Sequence, residues 1–212
     1  WQEGDLPVTV IDINRFLTDN PTPLVATMPP PSEPIRIMSM VFADAKGFSK
    51  LTESQVTTFV EKYMGRIASL IESTSHRPVF ANTWGDGMFL VFDTVRDAGL
   101  FALELSEHMS TYDPTTDKLP ETMKVRIGLH SGPVTPHFDP IMGRDGYHGT
   151  HISRAARIEP ITPPGEVYTS QQFAALTARY GIEEFVCDYV GRTRQAKKYG
   201  TMPTYHLRRT HS

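Results

Sequence analysis

The sequence is poor in cysteine, in long apolar runs and in positive charge. Cys187 is the only cysteine among 212 residues, which excludes an internal disulfide bond and favours a reducing compartment. No run approaches the roughly 18 apolar residues of a membrane span, and no signal peptide is recognisable, so we expect a cytoplasmic protein without a membrane partner. The formal net charge is −3 and no segment is strongly basic, which argues against non-specific binding of nucleic acid.

The composition is otherwise that of a globular protein, with 39% hydrophobic and 21% charged residues. A chain of this length suits one domain with an appendage. Two proline clusters, Pro21-Thr22-Pro23 and Pro29-Pro30-Pro31, oppose regular structure near the start. We therefore predict an arm or linker over residues 1–34 and one domain over residues 35–212.

The hydrophobic periodicity from residue 35 predicts the order βα–ββ–αβ, which favours an α+β fold with a ferredoxin-like βαββαβ core and C-terminal additions. The predicted elements are a strand over 35–42, a helix from Thr52–Glu53 to about Ser73, strands over 78–83 and 88–92, a helix over 95–109, a strand over 123–130 ended by Ser131-Gly132-Pro133, a helix over 151–159, a strand over 167–169, a helix capped by Ser170 and reaching about Tyr180, and strands over 185–190 and 204–207.

Two aspartates follow or join these apolar strands. Asp44 ends the first run, and Asp86 lies in the Gly85-Asp86-Gly87 turn between the next two. Each alone has an ordinary explanation, as a capping carboxylate or as a turn residue. If the strands are neighbours, the two carboxylates meet at one edge of the sheet, and Mg²⁺ commonly uses one or two carboxylates together with substrate phosphates. The pair therefore favours metal-dependent nucleotide chemistry.

The segment after Asp44 supplies backbone N–H groups at the start of a helix, where phosphates bind readily. We expect the amides of Lys46, Gly47, Phe48 and Ser49 to hold the β- and γ-phosphates of a nucleotide.

Four segments resemble the catalytic domain of class III nucleotidyl cyclases in order and spacing. They are Phe42-Ala43-Asp44-x-x-Gly47-Phe48-Ser49-x-Leu51-Thr52, Trp84-Gly85-Asp86-Gly87-Met88, Val125-Arg126-Ile127-Gly128-Leu129-His130-Ser131-Gly132-Pro133-Val134 and Gly149-x-x-Ile152-Ser153-Arg154-Ala155-Ala156-Arg157-Ile158-Glu159. These are similar to the family's first metal loop, second metal turn, central strand and catalytic helix. The resemblance covers residues 35–207 and implies that residues 35–212 are a cyclase catalytic domain.

The resemblance implies a role for each matching residue. Two divalent ions, Mn²⁺ or Mg²⁺, are held by Asp44, Asp86 and the carbonyl of Ala45. The terminal phosphate is bound by Arg126 and by Lys197 or Lys198, and Arg157 stabilises charge on the α-phosphate, with Ser153 where many members have asparagine. From the residues alone, the alternative for Arg126 is an outward strand residue paired with a carboxylate, although we favour the phosphate role. The alternative for Arg157 and for the lysines is a solvated side chain.

The positions that read the nucleobase depart from the adenylyl cyclase pattern. Asn82 stands where a lysine is usual, Gly146 with the adjacent Asp145 stands at its partner position, and Trp84 replaces an aliphatic residue. The small amide of Asn82 can form hydrogen bonds with the edge of a pyrimidine, and the indole of Trp84 would make the base pocket smaller. Trp84 is equally explained as a core residue.

The segments from Asn82 to Gly87 and from Arg154 to Gly165 resemble the pyrimidine cyclases of Pycsar anti-phage systems. That resemblance implies a bacterial enzyme that makes cyclic UMP, or cyclic CMP, for a product-sensing effector. The class III resemblance also implies a homodimer with shared active sites, because one chain carries both halves of each site.

Two other hypotheses remain open. Ser153 favours a catalytically inactive nucleotide-binding module that regulates a partner. A polymerase-like or diguanylate cyclase relative would share the core, but no Gly-Gly-Asp-Glu-Phe-like turn is present.

Overall fold

The computed structural model describes residues 34–194 and 200–210. The strands are β1 (Arg36–Ala45), β2 (Phe80–Trp84), β3 (Gly87–Phe92), β4 (Val125–Asp139), β5 (Arg144–His148), β6 (Val167–Ser170), β7 (Phe185–Arg194) and β8 (Thr201–Arg209). The helices are α1 (Glu53–Thr58), α2 (Gly65–Ser73), α3 (Val95–Ser110), α4 (Thr150–Ala155) and α5 (Gln171–Arg179), and a π-helical turn over Phe59–Met64 joins α1 to α2. The predicted arm falls outside the described residues, except for residue 34.

The strands form one mixed sheet in the order β2-β3-β1-β4-β6-β8-β7, and β5 pairs with the far half of β4. The order β2-β3-β1-β4 is that of a ferredoxin-like core, so the predicted α+β fold with C-terminal additions is confirmed. Strand β1 lies at the centre and pairs antiparallel with both β3 and β4. Residues at the end of β1 therefore have close neighbours on either side.

The main core lies between the sheet and the π-helical turn, α2, α3 and α5. Hydrogen-bonding caps begin these helices where the sequence predicts them: Thr94 Oγ1 accepts from the Asp97 N–H at 2.9 Å, and Ser170 Oγ accepts from the Phe173 N–H at 3.3 Å. The apolar stripe of α3 then packs onto β1, β3 and β4, and the ring centroids of Phe101 on α3 and Phe92 on β3 lie 5.2 Å apart. This packing fixes the position of β1, whose end carries the site described below.

A second apolar cluster covers the opposite face of the sheet. It is formed by side chains from β1, β3, β4 and α4, namely Met38, Met40, Phe42, Phe89, Val91, Val134 and Ala155. Helix α4 is the element that covers this face, with Ala155 fully buried. The helix predicted to be catalytic is therefore packed on the sheet rather than displayed on a loop.

Several predicted boundaries are wrong, since β1, β7 and β8 extend to Ala45, Arg194 and Arg209, and two other errors lie nearer the site. Strand β4 does not end at Ser131-Gly132-Pro133, because β1 pairs with those residues and β5 then supplies a new partner as far as Asp139. The predicted helix over 151–159 ends at Ala155 and is followed by a 3₁₀ turn over Glu159–Ile161. Strand β5, which no sequence pattern predicted, forms through its pairing with β4 although its residues have little strand propensity.

Gly128 is required by the close packing of that 3₁₀ turn on β4. A Cβ at this position would lie 2.5 Å from the backbone nitrogen of Glu159. We expect Gly128→Ala to lower the free energy of unfolding by about 1–3 kcal/mol, because backbone must move to admit the methyl group. Urea unfolding measures the change.

Gly65→Ala is the matched control, because a Cβ added to this helical residue would have no atom within 4 Å. There we expect stabilisation by roughly 0.5–1 kcal/mol. Equal effects at the two glycines would contradict the packing argument.

Candidate functional site

The structure brings Asp44 and Asp86 together. Asp44 is the second-last residue of β1, and Asp86 follows Gly85 in the tight turn between β2 and β3. Gly85 adopts a positive φ of 63°, a conformation that permits the turn. Because Ala43 pairs with Met88, the turn lies beside the end of β1, and the two carboxyl groups are close enough for each to shift the pKa of the other.

Arg126 and Glu159 complete the cluster. Arg126 lies directly opposite Asp44 in the β1–β4 pairing, and its guanidinium donates to the Asp44 carboxylate. Its Nη2 is also 2.9 Å from Glu159 Oε1. Arg126 Nε is buried and donates to no acceptor in the described part of the chain. Three carboxyl groups thus surround one guanidinium that retains an unused donor.

The protonation of the cluster reflects this excess of acid. Burial, with the hydrogen bond and negative charge of Asp44, raises the pKa of Asp86 to about 7. Burial also acts to raise the pKa of Asp44, but the hydrogen bonds of Asp86 and Arg126 and the charge of Arg126 bring it below its ordinary value. Burial raises the pKa of Glu159 to about 7, although Arg126 opposes the shift. One guanidinium therefore faces three carboxyl groups, and the cluster is short of positive charge near neutral pH.

A divalent cation fits this donor set. Two carboxylates and the backbone carbonyl of the adjoining Ala45 are hard oxygen ligands of the kind that Mg²⁺ and Mn²⁺ prefer. No group of three or more histidine, cysteine or acidic side chains suited to a metal occurs among residues 34–194 and 200–210. An ion here would therefore need oxygen atoms of a substrate to complete its coordination.

The predicted phosphate loop follows β1 as expected. Gly47 has a φ of 98° and begins a short 3₁₀ turn over Phe48–Lys50. Phe48 anchors the turn by packing on Phe59, with ring centroids 4.8 Å apart. The Lys46 N–H donates to the Lys124 carbonyl at 3.0 Å, so a phosphate would have to compete for it. Lys197 and Lys198 lie outside the described residues.

The predicted base-reading residues lie on β2 and β5. Trp84, at the end of β2, is 54% exposed, and its ring centroid is 6.2 Å from that of Phe42, so it is not a core residue. Asp145 is exposed on β5, and the adjacent Gly146 faces His137. Asn82 has a partner that no sequence pattern indicated: Arg144 donates from Nη2 to Asn82 Oδ1. The two residues are 62 positions apart in the sequence, and the β4–β5 hairpin brings them together.

Ser153 and Arg157 lie on and just after α4. Ser153 is exposed, and Arg157 is partly buried with its N–H donating to the Arg154 carbonyl at 3.2 Å. A histidine pair attaches this helix to the sheet: His130 Nε2 and His151 Nδ1 are 2.8 Å apart. No sequence pattern indicated this pair, because the two histidines are 21 residues apart.

His130 is held neutral by its surroundings. It is fully buried in β4, with Nδ1 2.8 Å from Ser170 Oγ, and burial, followed by the charges of His151 and Arg154, lowers its pKa to about 3. An unfolded histidine has a pKa of about 6.5. Between these values the unfolded chain binds a proton that the folded protein does not. His130 therefore lowers the free energy of unfolding as the pH falls below about 6.5.

When the pH falls from 7 to 5, we expect the free energy of unfolding to decrease by roughly 2 kcal/mol more in the wild type than in the His130→Gln variant. Asp86 and Glu159 act in the opposite direction, because their pKa values are raised in the folded state, so only the difference between the two proteins isolates His130. Urea unfolding at both pH values measures it. The same loss in both proteins would show that His130 does not resist protonation.

The family model for the adenylate and guanylate cyclase catalytic domain matches residues 31–209. The chain belongs to this family. The predicted membership of the class III nucleotidyl cyclases is therefore confirmed.

The cyclase relatives are distant. An adenylate cyclase of Neurospora crassa is 24% identical over 74% of this chain, and guanylate cyclase 2G of Mus musculus is 28% identical over 68% of it. The chain spans only 7% and 14% of these proteins. Among solved structures, the adenylyl cyclase CyaB from P. aeruginosa superposes with a TM-score of 0.70 at 14% identity, covering 84% of this chain and 96% of that one.

Within residues 34–194 and 200–210 of this cyclase domain, no helix has the length and apolar character needed to cross a bilayer. This finding concerns the described helices alone.

Proposed function

We propose that the chain converts a pyrimidine nucleoside triphosphate, with UTP preferred to CTP, into the 3′,5′-cyclic monophosphate and pyrophosphate. The observation that carries this proposal is the meeting of Asp44 and Asp86, where Asp86 has a pKa raised to about 7 by burial and by Asp44. In the reaction, the 3′-oxygen loses its proton and bonds to the α-phosphorus, and the bond from that phosphorus to the pyrophosphate oxygen breaks.

Asp44, Asp86 and the Ala45 carbonyl are the proposed ligands of two divalent ions, Mn²⁺ or Mg²⁺. When bound, such ions neutralise phosphate charge and lower the pKa of the attacking hydroxyl. The amides of Lys46, Gly47, Phe48 and Ser49, together with Arg126 and Lys197, would bind the β- and γ-phosphates.

Arg126 would have to change partners on substrate binding. Its guanidinium now pairs with Asp44 and Glu159, while Nε stays without an acceptor in the described part of the chain. Neutralisation of Asp44 by a cation would release the guanidinium toward the terminal phosphate, which offers the bidentate oxygens that arginine prefers.

Helix α4 supplies the remaining catalytic groups. Arg157 would stabilise the charge that develops on the α-phosphate, and Ser153 would orient the ribose from the exposed side of the helix. We propose that the active form is a homodimer in which the metal-binding residues of one subunit face Arg157 and the base-reading residues of the other.

The base-reading residues favour a small base. Asn82 presents a neutral amide, Gly146 has no side chain, Asp145 is exposed, and the indole of Trp84 is exposed to solvent in the monomer. An exposed indole at this edge is suited to cover or narrow a base pocket in the assembled enzyme.

Two alternatives use the same site. An adenylyl or guanylyl cyclase fits the family equally well, since the relatives carry both names. An inactive nucleotide-binding module is favoured by Ser153 alone. The cluster of Asp44, Asp86 and Arg126 supports an active enzyme. Partly burying three charged groups lowers the stability of the fold, and a purely regulatory domain would have no need to keep them.

We further propose that the product is a second messenger in bacterial anti-phage defence, sensed by a separate effector in the cytoplasm. The support is the resemblance of the segments from Asn82 to Gly87 and from Arg154 to Gly165 to pyrimidine cyclases.

A product assay tests the proposal. The protein is incubated separately with ATP, GTP, CTP and UTP in Mn²⁺ or Mg²⁺, and products are identified by mass spectrometry. Cyclic UMP or cyclic CMP as the main product supports the proposal. A cyclic purine nucleotide would retain the cyclase and overturn the pyrimidine preference. Absence of product from a protein that forms dimers would favour the regulatory module.

A further inference from the structure

The β4–β5 hairpin places an arginine over the proposed base-reading amide. Arg144 is the first residue of β5 and pairs with Asp139, and its guanidinium donates to Asn82 Oδ1 on β2. The guanidinium carbon lies 5.5 Å from the ring centroid of Phe80. Arg144 therefore contacts both a polar and an aromatic residue of β2.

Aromatic packing supports this arrangement. Phe80 packs edge-on against both Phe89 and Tyr147, with ring centroids 5.7 Å apart in each case. Tyr147 lies on β5, so the same aromatic contacts that attach β5 to β2 also set the position of Arg144. A cation over an aromatic face gains roughly 0.5–1 kcal/mol at an exposed site, which favours this position of the guanidinium.

The chemistry of the two groups determines how the amide is oriented. A guanidinium has only donors, so the atom of Asn82 that faces Arg144 must be the amide oxygen. The amide NH₂ group is then turned away from Arg144. Asn82 consequently offers a nucleobase two hydrogen-bond donors, and the guanidinium beside it adds further donors and no acceptor.

We propose that Arg144 determines base specificity by orienting Asn82, so that the site selects bases with a keto oxygen at the edge it reads. This inference rests on the proposed function. Uracil presents the O4 acceptor where cytosine presents the N4 amino donor, and guanine presents O6 where adenine presents N6. An amino group facing the Asn82 NH₂ group would leave donors unpaired, so UTP is preferred to CTP, and GTP to ATP.

Reversing the polarity of residue 144 tests the proposal. In Arg144→Glu the carboxylate accepts hydrogen bonds only, so it should bind the amide NH₂ group and turn Oδ1 toward the base. We expect the ratio of kcat/KM for UTP to that for CTP to fall by roughly tenfold to a hundredfold. The mismatch of two donors that disfavours CTP in the wild type is replaced by a mismatch of two acceptors that disfavours UTP in the variant.

Two further variants and a control separate specificity from folding. Arg144→Lys keeps a donor and should keep the preference for UTP, whereas Asn82→Asp removes the amide donors and should lose it. Arg179→Ala removes an exposed arginine at the end of α5 and should change neither substrate ratio. Circular dichroism and urea unfolding confirm that each variant is folded.

The outcomes distinguish this inference from the proposed function. Formation of cyclic nucleotides with an unchanged ratio of UTP to CTP in Arg144→Glu overturns the role of Arg144 and leaves the cyclase intact. A wild-type preference for CTP or ATP also overturns it. If no product forms, the affinities for UTP and CTP are measured by calorimetric titration in Ca²⁺. Equal affinities, or no binding, overturn the inference. Tighter binding of UTP in the wild type that reverses in Arg144→Glu supports the inference, although the enzyme proposal has then failed.

Discussion

Replacing Asp44 with asparagine is expected to lower kcat for cyclisation by about 10³-fold or more. The change keeps the size of the side chain and removes the charge at the point where β1, the β2–β3 turn and β4 converge. A carboxylate ligand contributes several kcal/mol of charge stabilisation through the metal it holds, and about 4 kcal/mol corresponds to that factor. Product formation from UTP at saturating Mn²⁺ measures the loss.

The fold should tolerate this substitution. Arg126 retains Glu159 at 2.9 Å, and Asp86 loses the neighbouring charge that raises its pKa. We expect the free energy of unfolding to change by less than about 1 kcal/mol, since relief of carboxylate repulsion offsets the lost pair. Loss of activity with unchanged stability separates a catalytic role from a structural one.

Asp93→Asn is the matched control for Asp44→Asn. Asp93 is an exposed aspartate just after β3 that pairs with Arg36 at 3.3 Å, away from the cluster. The Asp93→Asn variant should retain wild-type activity. Activity in Asp44→Asn within tenfold of the control would exclude Asp44 as a metal ligand.

Mixing two inactive variants is expected to restore activity. Asp44→Asn and Arg157→Ala should each be inactive alone, because in the proposed homodimer every site needs Asp44 from one subunit and Arg157 from the other. With random exchange, half of the dimers are mixed and each has one complete site of two, so about a quarter of wild-type activity should return.

The recovery depends on subunit exchange, which must be verified. Differently tagged subunits that co-purify after mixing demonstrate it, and each variant incubated alone supplies the baseline. Mixed dimers that exchange yet remain inactive would contradict shared sites and would favour complete sites within single chains.

Local chemistry made several elements predictable. Thr94 and Ser170 precede helices and accept hydrogen bonds from free backbone amides, and the observed helices begin at the next residue. The helix predicted from Thr52–Glu53 begins at Glu53, where Gln55 Oε1 accepts a hydrogen bond from the Thr52 N–H at 3.0 Å. The alternation of apolar and polar residues, and short runs of apolar residues, likewise predicted the two strands on either side of Asp86. These signals depend only on neighbours in the chain.

Boundaries that depend on a distant partner were not predictable. Strand β4 continues through Pro133 because β1 and then β5 pair with it, and α4 stops at Ala155 because the following backbone packs on Gly128. Strand β5 has no signal of its own, since its pairing with β4 outweighs its weak propensity.

The family, the ferredoxin-like core and the pair of Asp44 and Asp86 could all be inferred from the chain alone, because each follows from local patterns and motif spacing. Three contacts emerged only with the folded protein: Glu159 beside Arg126, His151 bonded to His130, and Arg144 over Asn82. Each of these contacts joins residues far apart in the chain, and its existence depends on strand register and helix packing, which side-chain periodicity does not encode.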